Sequence, residues 1–489
     1  LGKKAIVIGS GFAGMSAATF LANKGWQVQV LEKHEQPGGR ARMMKAAGFT
    51  FDMGPSWYWM PDVFERYFAQ FGKKVSDYYI LHRLDPSYRV YWPDDAWDIP
   101  ANYESYKALL ERMEPGAGNA LDKVMEEAAY KYKVGINNLV FKPGLSLIEF
   151  IDADLIKGIF RLDVFTSIKK HFGKHFKNSK IRELMEFPVL FLGALAQDTP
   201  ALYSLMNYAD IKGGTWFPEG GMHSIVKGMH RLAGEQGVRF RFNAEVESII
   251  VKNGRATGVQ IGSELIEADV IVSGADYHFT ETRLLPAQYQ SYTDTYWDKR
   301  VMAPSCLLYY VGINKKIPGL LHHSLFFDVP FAPHARDIYT TPRWPDEPLF
   351  YVSATSVTDS TQAPEDCENL FFLVPVATGL SGDDESLRDT YFQKILLRFE
   401  ERLGTSIKDN IVYYKSYAHS DFISDYHAFK GNAYGLANTL LQTAVLKPAC
   451  KSKKLENLFY VGQLTVPGPG VPPSLISGEV VANFIHNTF

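Results

Sequence analysis

Three glycines and one acid near the start of the chain have the types and spacing to hold a phosphate and a ribose. Gly9, Gly11 and Gly14 form GxGxxG, and Glu32 follows eighteen residues after Gly14. Gly9 permits a tight turn, Gly11 lets backbone approach a pyrophosphate, and Gly14 lets a helix lie close on a strand. The free N–H groups and positive end of that helix then face the phosphates. Glu32 can accept both ribose hydroxyls, and its charge disfavours a 2′-phosphate. Lys33 is grouped with the same contacts. A few residues on come Gly38-Gly39-Arg40-Ala41-Arg42, then Gly54-Pro55. These would bring a second bare backbone and two guanidiniums to the same phosphates; the alternative for Arg40 and Arg42 is a pair of solvated surface charges.

The elements needed to position these groups are legible around them. Ala5 to Ile8 is a short apolar, β-branched run suited to a buried parallel strand. Met15 to Asn23 reads as a helix, Gly25 ends it, and Gln27 to Leu31 is a second strand. GxGxxG alone is weak, but strand, glycines, helix, strand and acid in this order are specific. The pattern resumes at Trp216 to Met222, a helix over His223 to Gln236, an alternating strand with Val238, Phe240 and Phe242, a hairpin turning at Asn253-Gly254, and a buried strand over Ala268 to Ser273. It resumes again at the strand Leu458 to Val461, followed by Gly462-Gln463 and the segment LTVPGPGVPPSLISGEVVANFI. Ile476, Val480 and Phe484 recur at helical spacing, so that segment ends in a buried helix that Pro472 or Pro473 can open. Gly468 and Gly470 would let backbone lie against a flat ring.

On Gly38-Gly39-Arg40, Asp52-Met53-Gly54-Pro55, Trp216-Phe217-Pro218-Glu219-Gly220-Gly221 and Pro467-Gly468-Pro469-Gly470-Val471-Pro472, the chain resembles the FAD-containing amine-oxidase and phytoene-desaturase superfamily. Over essentially its whole length it is similar to carotenoid desaturases of the phytoene-desaturase type. The resemblance implies FAD held by Gly9, Gly11, Gly14, Glu32, Lys33, Gly38, Gly39, Arg40, Arg42, Gly54, Pro55, Val246, Gly462, Gln463, Gly470, Val471 and Pro472. Val246 would offer a backbone group to adenine, or is simply core. Relatives often carry Gly-Asp where this chain has Gly462-Gln463, so the role at Gln463 passes from an acid to an amide. The resemblance further implies a long C40 polyene, hydride loss to flavin with proton loss from the neighbouring carbon, and peripheral membrane binding. Two substrates compete: phytoene, desaturated repeatedly, and a hydroxylated carotenoid such as 1′-hydroxy-γ-carotene, desaturated once at the 3,4 position. The resemblance favours the second, and no residue derives that choice. An amine or protoporphyrinogen oxidase and a non-enzymatic prenyl-lipid carrier of related fold are the rival readings.

The expected architecture is α/β, or α+β overall. A discontinuous Rossmann-like FAD domain spans 1–75, 215–280 and 455–489. A mixed-sheet substrate domain spans 76–150 and 281–454, and a helical lid or membrane-facing region spans 151–214. Within that region, residues 155–182 carry eight Lys/Arg against one Asp, with Ile156, Phe160, Val164, Ile168, Phe172 and Phe176 four apart. Two helices broken near Gly173 fit that row, as an interfacial membrane segment or as core-packing helices with a basic outer face. No run reaches the ~18 apolar residues of a spanning helix. No basic-then-apolar leader is read, and three scattered cysteines suit a reducing compartment, so the expected location is cytoplasmic, on the inner face of the membrane. The net charge of -3 gives no reason to expect nucleic acid. His171 and His175 have metal-ligand spacing but no acid near in sequence, so they are read as surface residues and no metal is expected. Glu219 is the one weak candidate for a catalytic acid or base. A cofactor that carries the hard step accounts for the lack of a protein nucleophile motif.

Overall fold

The computed structural model describes residues 2–150, 162–190 and 195–489. A five-stranded parallel sheet draws on three distant stretches of chain, in the spatial order Leu458–Tyr460, Val270–Ser273, Lys4–Ile8, Gln27–Leu31, Arg239–Arg241. Its central strands are apolar because both faces are covered: Val7, Val30 and Val272 have no exposed surface. One face receives the helix Phe12–Asn23, which begins three residues earlier than its sequence pattern suggests. Gly14 sets that approach, since a Cβ there would stand 2.1 Å from the Gly9 carbonyl oxygen. The last helix, Val471–Thr488, packs on the first, and Ser16 Oγ donates to the Leu475 carbonyl at 2.7 Å. The Asn253-Gly254 hairpin forms as expected, with both residues at positive φ, and a third strand, Glu264–Glu267, extends it.

A second, seven-stranded mixed sheet forms from Tyr88–Tyr91, Ala96–Ile99 and the strands between 305 and 417. Successive side chains of a strand point to opposite faces. On Ser305–Ile313, Leu307, Tyr309, Val311 and Ile313 therefore join one core, with Phe392, Ile395 and Phe399 of the helix Glu385–Leu403. Cys306, Leu308 and Tyr310 face the other way, toward the core shared with the parallel sheet. The same alternation sends Tyr351, Phe371 and Leu373 to that inner face. It is this parity that presents the sheet to a cleft.

The basic segment differs from its sequence reading. The helix Ile168–His175 runs through Gly173, and the break falls at Phe176–Asn178 before the helix Ser179–Leu190. Capping explains the shift: the Ser167 side chain accepts from Lys170 N at the first start, and Asn178 Oδ1 accepts from Lys180 N at the second. Ile168, Phe172 and Phe176 are buried, while Lys169, Lys170 and Lys174 point outward. The apolar row here is a packing face. Ile156 and Phe160 lie outside the described residues. His171, read as a surface residue, is buried, and the helix Ala117–Val134 brings Glu127 beside it. No helix among the described residues is long and apolar enough to cross a membrane.

Candidate active site

One continuous cleft runs from the glycine turn of the parallel sheet to the inner face of the mixed sheet. Gly9, Gly11, Gly14, Glu32 and Lys33 line one end, and Val246 joins them. Gly38, Gly39, Arg40, Gly54 and Pro55 line the middle, opposite Gly462, Gln463 and Gly470 to Ser474. Trp57, Trp59, Met206, Cys306, Tyr351 and Tyr434 line the far end. Of the cofactor contacts expected from sequence, all but Arg42 border this cleft.

At the first end Glu32 is buried and already organised. Its Oε2 accepts from the Ser10 amide at 2.8 Å and from Ser10 Oγ at 2.7 Å, while Oε1 accepts from His34 N at 3.0 Å. The acid therefore fixes the glycine turn as well as facing the cleft. Lys33 Nζ donates to the Ser424 carbonyl at 3.0 Å and lies 3.8 Å from Glu245. Val246 is buried, and its backbone segment is tied down by the Ala244 amide donating to Glu32 O at 2.8 Å.

The two arginines separate. Arg40 lines the cleft, donates to the Asn432 carbonyl at 3.1 Å, and has a buried Nε without a protein partner. Arg42 turns away into an ion pair with Asp425 and a 2.9 Å contact to His34 Nδ1. It is a strut between the Gly38 loop and the helix His419–Tyr426, which corrects its expected place at the phosphates. Gly39–Ala41 forms a single 3-10 turn and Arg42 leaves it in extended conformation, so at three residues per turn the two arginines depart in different directions.

Glu219 is likewise corrected. It sits at the surface, 3.1 Å from His82 Nε2, and does not line the cleft. The turn it belongs to is closed by Asp52, whose two oxygens accept from Met222 N at 2.7 Å and His223 N at 3.0 Å. Burial pushes the Asp52 carboxyl up to about 6 against those two donors.

The proline-rich stretch borders the middle of the cleft. Gly470 caps the last helix at φ 113°, and Pro472 and Pro473 occupy its first turn, where a missing N–H costs nothing. Gln463 Nε2 donates to Asn432 Oδ1 at 2.8 Å. Sequence reasoning missed Asp276, which lines the cleft, caps the turn Tyr277–Phe279 and has its carboxyl raised by burial. The signal was available: Gly274-Ala275-Asp276 directly follows a buried strand. Cys306, Tyr351 and Tyr434 carried no such signal.

At the far end the groups are neutral and largely aromatic. Trp57 stacks on His323 with ring centres 4.2 Å apart, and His323 Nδ1 is 2.6 Å from Tyr351 Oη. Burial pushes the Cys306 thiol up to about 12 and raises the Tyr351 and Tyr434 phenols. Behind Trp59, its indole N–H donates to Thr215 Oγ1 at 2.9 Å, and Asp210 accepts from Thr215 and Tyr88. Burial lifts Asp210 to about 7.

The residues fit FAD. A Cβ built on Gly11 meets nothing within 4 Å, so the bare backbone opens directly on the cleft. The helix behind it has no acid in its first turn, leaving its N–H groups for an anion. The orphaned Arg40 Nε adds a charged donor.

A family model for flavin-containing amine oxidoreductases matches residues 12–485. The chain is 40% identical over 483 residues to a carotenoid 3,4-desaturase of Haloarcula japonica, covering 98% of this chain and 97% of that one. It is 32% identical over 485 residues to a zeta-carotene-forming phytoene desaturase of Myxococcus xanthus, covering 98% and 93%. Among solved structures, an oxidoreductase from Methanosarcina mazei superposes with a TM-score of 0.63 at 16% identity, over 98% of this chain and all of that one.

Proposed function

The chain belongs to the flavin-containing amine oxidoreductase family, and on that premise we propose that it desaturates a hydroxylated C40 carotenoid of the 1′-hydroxy-γ-carotene type at its 3,4 bond. It is an FAD-dependent oxidoreductase, a carotenoid desaturase acting on a CH–CH pair. The observation that carries the 3,4 position is the near-full-length 40% identity to a carotenoid 3,4-desaturase. The neutral, aromatic far end of the cleft supports a long conjugated substrate over a small amine: flat rings suit a flat polyene, and the cationic ammonium of an amine would find neutral groups there.

The reaction removes a hydride from one carbon and a proton from its neighbour, so a C–C single bond becomes C=C. Bound FAD supplies the hydride acceptor. The chain supplies position and dryness. Gly9, Gly11, Gly14, Glu32 and Arg40 would hold the dinucleotide, and Gly54, Pro55 and Gly470 to Pro472 would offer backbone to the rest of the cofactor. Trp57, Trp59 and Tyr351 hold the polyene and keep water from the reacting bond.

We place the membrane contact of this enzyme away from the basic helix. The exposed apolar side chains Leu145, Ile148, Leu441 and Leu446 lie on two segments that meet where Gly144 packs against Ala444 and Val466, just before Pro467. An apolar surface beside the proline loop would let a lipid-soluble substrate pass from bilayer to cleft without crossing water. For the side of the membrane we keep the cytoplasmic face, on the three scattered cysteines.

Phytoene is the second reading, favoured by the Myxococcus relative. The test is anaerobic incubation of the FAD-loaded enzyme with each carotenoid in liposomes, followed by product spectra. A lengthened chromophore from the hydroxylated substrate supports the proposal. Conversion of phytoene alone replaces it with the second reading, and conversion of neither overturns both.

A further inference from the structure

The pair His171 and His175 sits one helical turn apart on Ile168–His175, with ring centres 5.2 Å apart. The acid that this pair lacks in sequence arrives through the fold, from Glu127 on the helix Ala117–Val134. One nitrogen of each imidazole and one oxygen of Glu127 all lie within 4.8 Å of one another.

His171 carries the argument. The residue is 2% exposed, and its Nε2 is buried without a hydrogen-bond partner. That nitrogen lies 3.9 Å from Glu127 Oε2, too far for a hydrogen bond and close enough to share a third atom between them. The other ring nitrogen, Nδ1, faces Asp163 Oδ2 at 3.5 Å. That carboxylate stands at the outer limit of hydrogen-bond reach, on the side of the ring away from Glu127, where a ligating histidine commonly has its outer-shell acid. The surrounding lysines do not fill the gap: Lys131 Nζ donates to the Ala201 carbonyl at 3.0 Å and to Ser204 Oγ at 3.2 Å, and Lys123 and Lys174 are exposed.

We propose that Glu127, His171 and His175 bind one divalent transition-metal ion, zinc by the chemistry of the donors, and that the ion clips the basic helix Ile168–His175 onto Ala117–Val134. Two imidazoles and a carboxylate are a zinc donor set with a fourth position left for water, at bond lengths of about 2.0–2.2 Å. Ligand atoms on a tetrahedral ion at those bond lengths stand about 3.3–3.5 Å apart, so binding draws in the exposed Glu127 and the half-buried His175 side chains toward His171. The clip fixes the outward lysines Lys169, Lys170 and Lys174 relative to the body of the protein.

The test uses the full-length, FAD-loaded protein, stripped with chelator and titrated with zinc alone against a chromophoric competitor, and with cobalt for its visible ligand-field bands. Wild type is expected to bind one ion, to show a cobalt spectrum of tetrahedral intensity, and to gain thermal stability on adding zinc. His175→Asn and Glu127→Gln, both at positions that are not fully buried, should each weaken binding by more than about tenfold and abolish the zinc-dependent gain; Asp163→Asn should weaken it by about tenfold or more through the orientation of His171. Zinc binding in wild type that the His175 and Glu127 variants leave unchanged would show an adventitious ion only and overturn the proposal, as would the absence of stoichiometric binding.

Discussion

A Cβ built on Gly478 would stand 2.4 Å from the carbonyl oxygen of Ala13. The last helix thus meets the first through bare backbone, and the two ends of the chain together set the phosphate turn and the proline loop on either side of one cleft. Gly478→Val should force these helices apart. The expected loss is about 1–3 kcal/mol or more in chemical denaturation. Because the N-terminus of the moved helix borders the cleft, retention of flavin on gel filtration should fall with it.

Gly470 poses a different constraint. Its φ of 113° lies where side chains are strained, and a Cβ there would approach Pro473 Cδ at 3.2 Å. Gly470→Val is expected to cost about 1–3 kcal/mol of local strain. It should weaken flavin binding about tenfold or more, read by fluorescence titration, since one unit in log K is 1.4 kcal/mol.

Glu32 accepts three hydrogen bonds from the glycine turn and the following loop. Glu32→Ala removes a charged acceptor from a turn it organises. Each hydrogen bond to a charged group is worth about 1.5–3 kcal/mol. The apoprotein should stay folded by circular dichroism while its affinity for FAD falls by at least tenfold.

Asp210 makes stability depend on pH. Its folded value of about 7 lies above the ordinary 3.8, because burial disfavours the carboxylate. The folded state therefore holds the proton more tightly than the unfolded state between those values. The stabilisation is fully present below the unfolded value and is lost as pH rises through about 7. Asp210→Asn should flatten that decline and unfold less readily than wild type at pH 8, by up to a few kcal/mol in urea titrations. An unchanged pH slope in the variant would reject burial of this carboxyl as its cause.

The membrane face is tested by Ile148→Ser with Leu441→Ser. Ile148 is 75% exposed and Leu441 77%. If both side chains enter lipid, losing them removes about 1.5–3 kcal/mol each. Cosedimentation with liposomes should fall tenfold or more, with turnover of detergent-solubilised substrate retained. Equal loss on neutralising Lys169 and Lys170 instead would move the contact to the basic helix.

The nucleotide half of this fold was legible because its grammar is local. Strand, Gly9, Gly11, Gly14, helix, strand and Glu32 follow one another within a single turn of fold, and each residue type has one task. What escaped sequence reasoning depends on partners brought from far away. Arg42 looks free beside Arg40 until Asp425 claims it. Glu219 looks placed by its motif until Asp52 proves to close that turn. His171 looks exposed among lysines until Glu127 and Asp163 surround it. The aromatic end of the cleft was hardest, because strand parity decides which side chains of Ser305–Ile313 and Phe350–Ser353 face inward, and parity is fixed by pairing across the sheet. Trp57 follows Gly54-Pro55 closely in sequence, but nothing there makes it a neighbour of Tyr351, whose ring lies 5.6 Å away.

The central claim, that this cleft passes hydride from a carotenoid to FAD, is tested most directly by anaerobic single-turnover mixing of the FAD-loaded enzyme with 1′-hydroxy-γ-carotene in liposomes, following flavin and polyene absorbance together. The account predicts that the oxidised flavin band bleaches as the polyene spectrum shifts to longer wavelength, with one new double bond for each flavin reduced. Flavin that stays oxidised in the presence of this carotenoid and of phytoene, or that is bleached by a small amine instead, would contradict it.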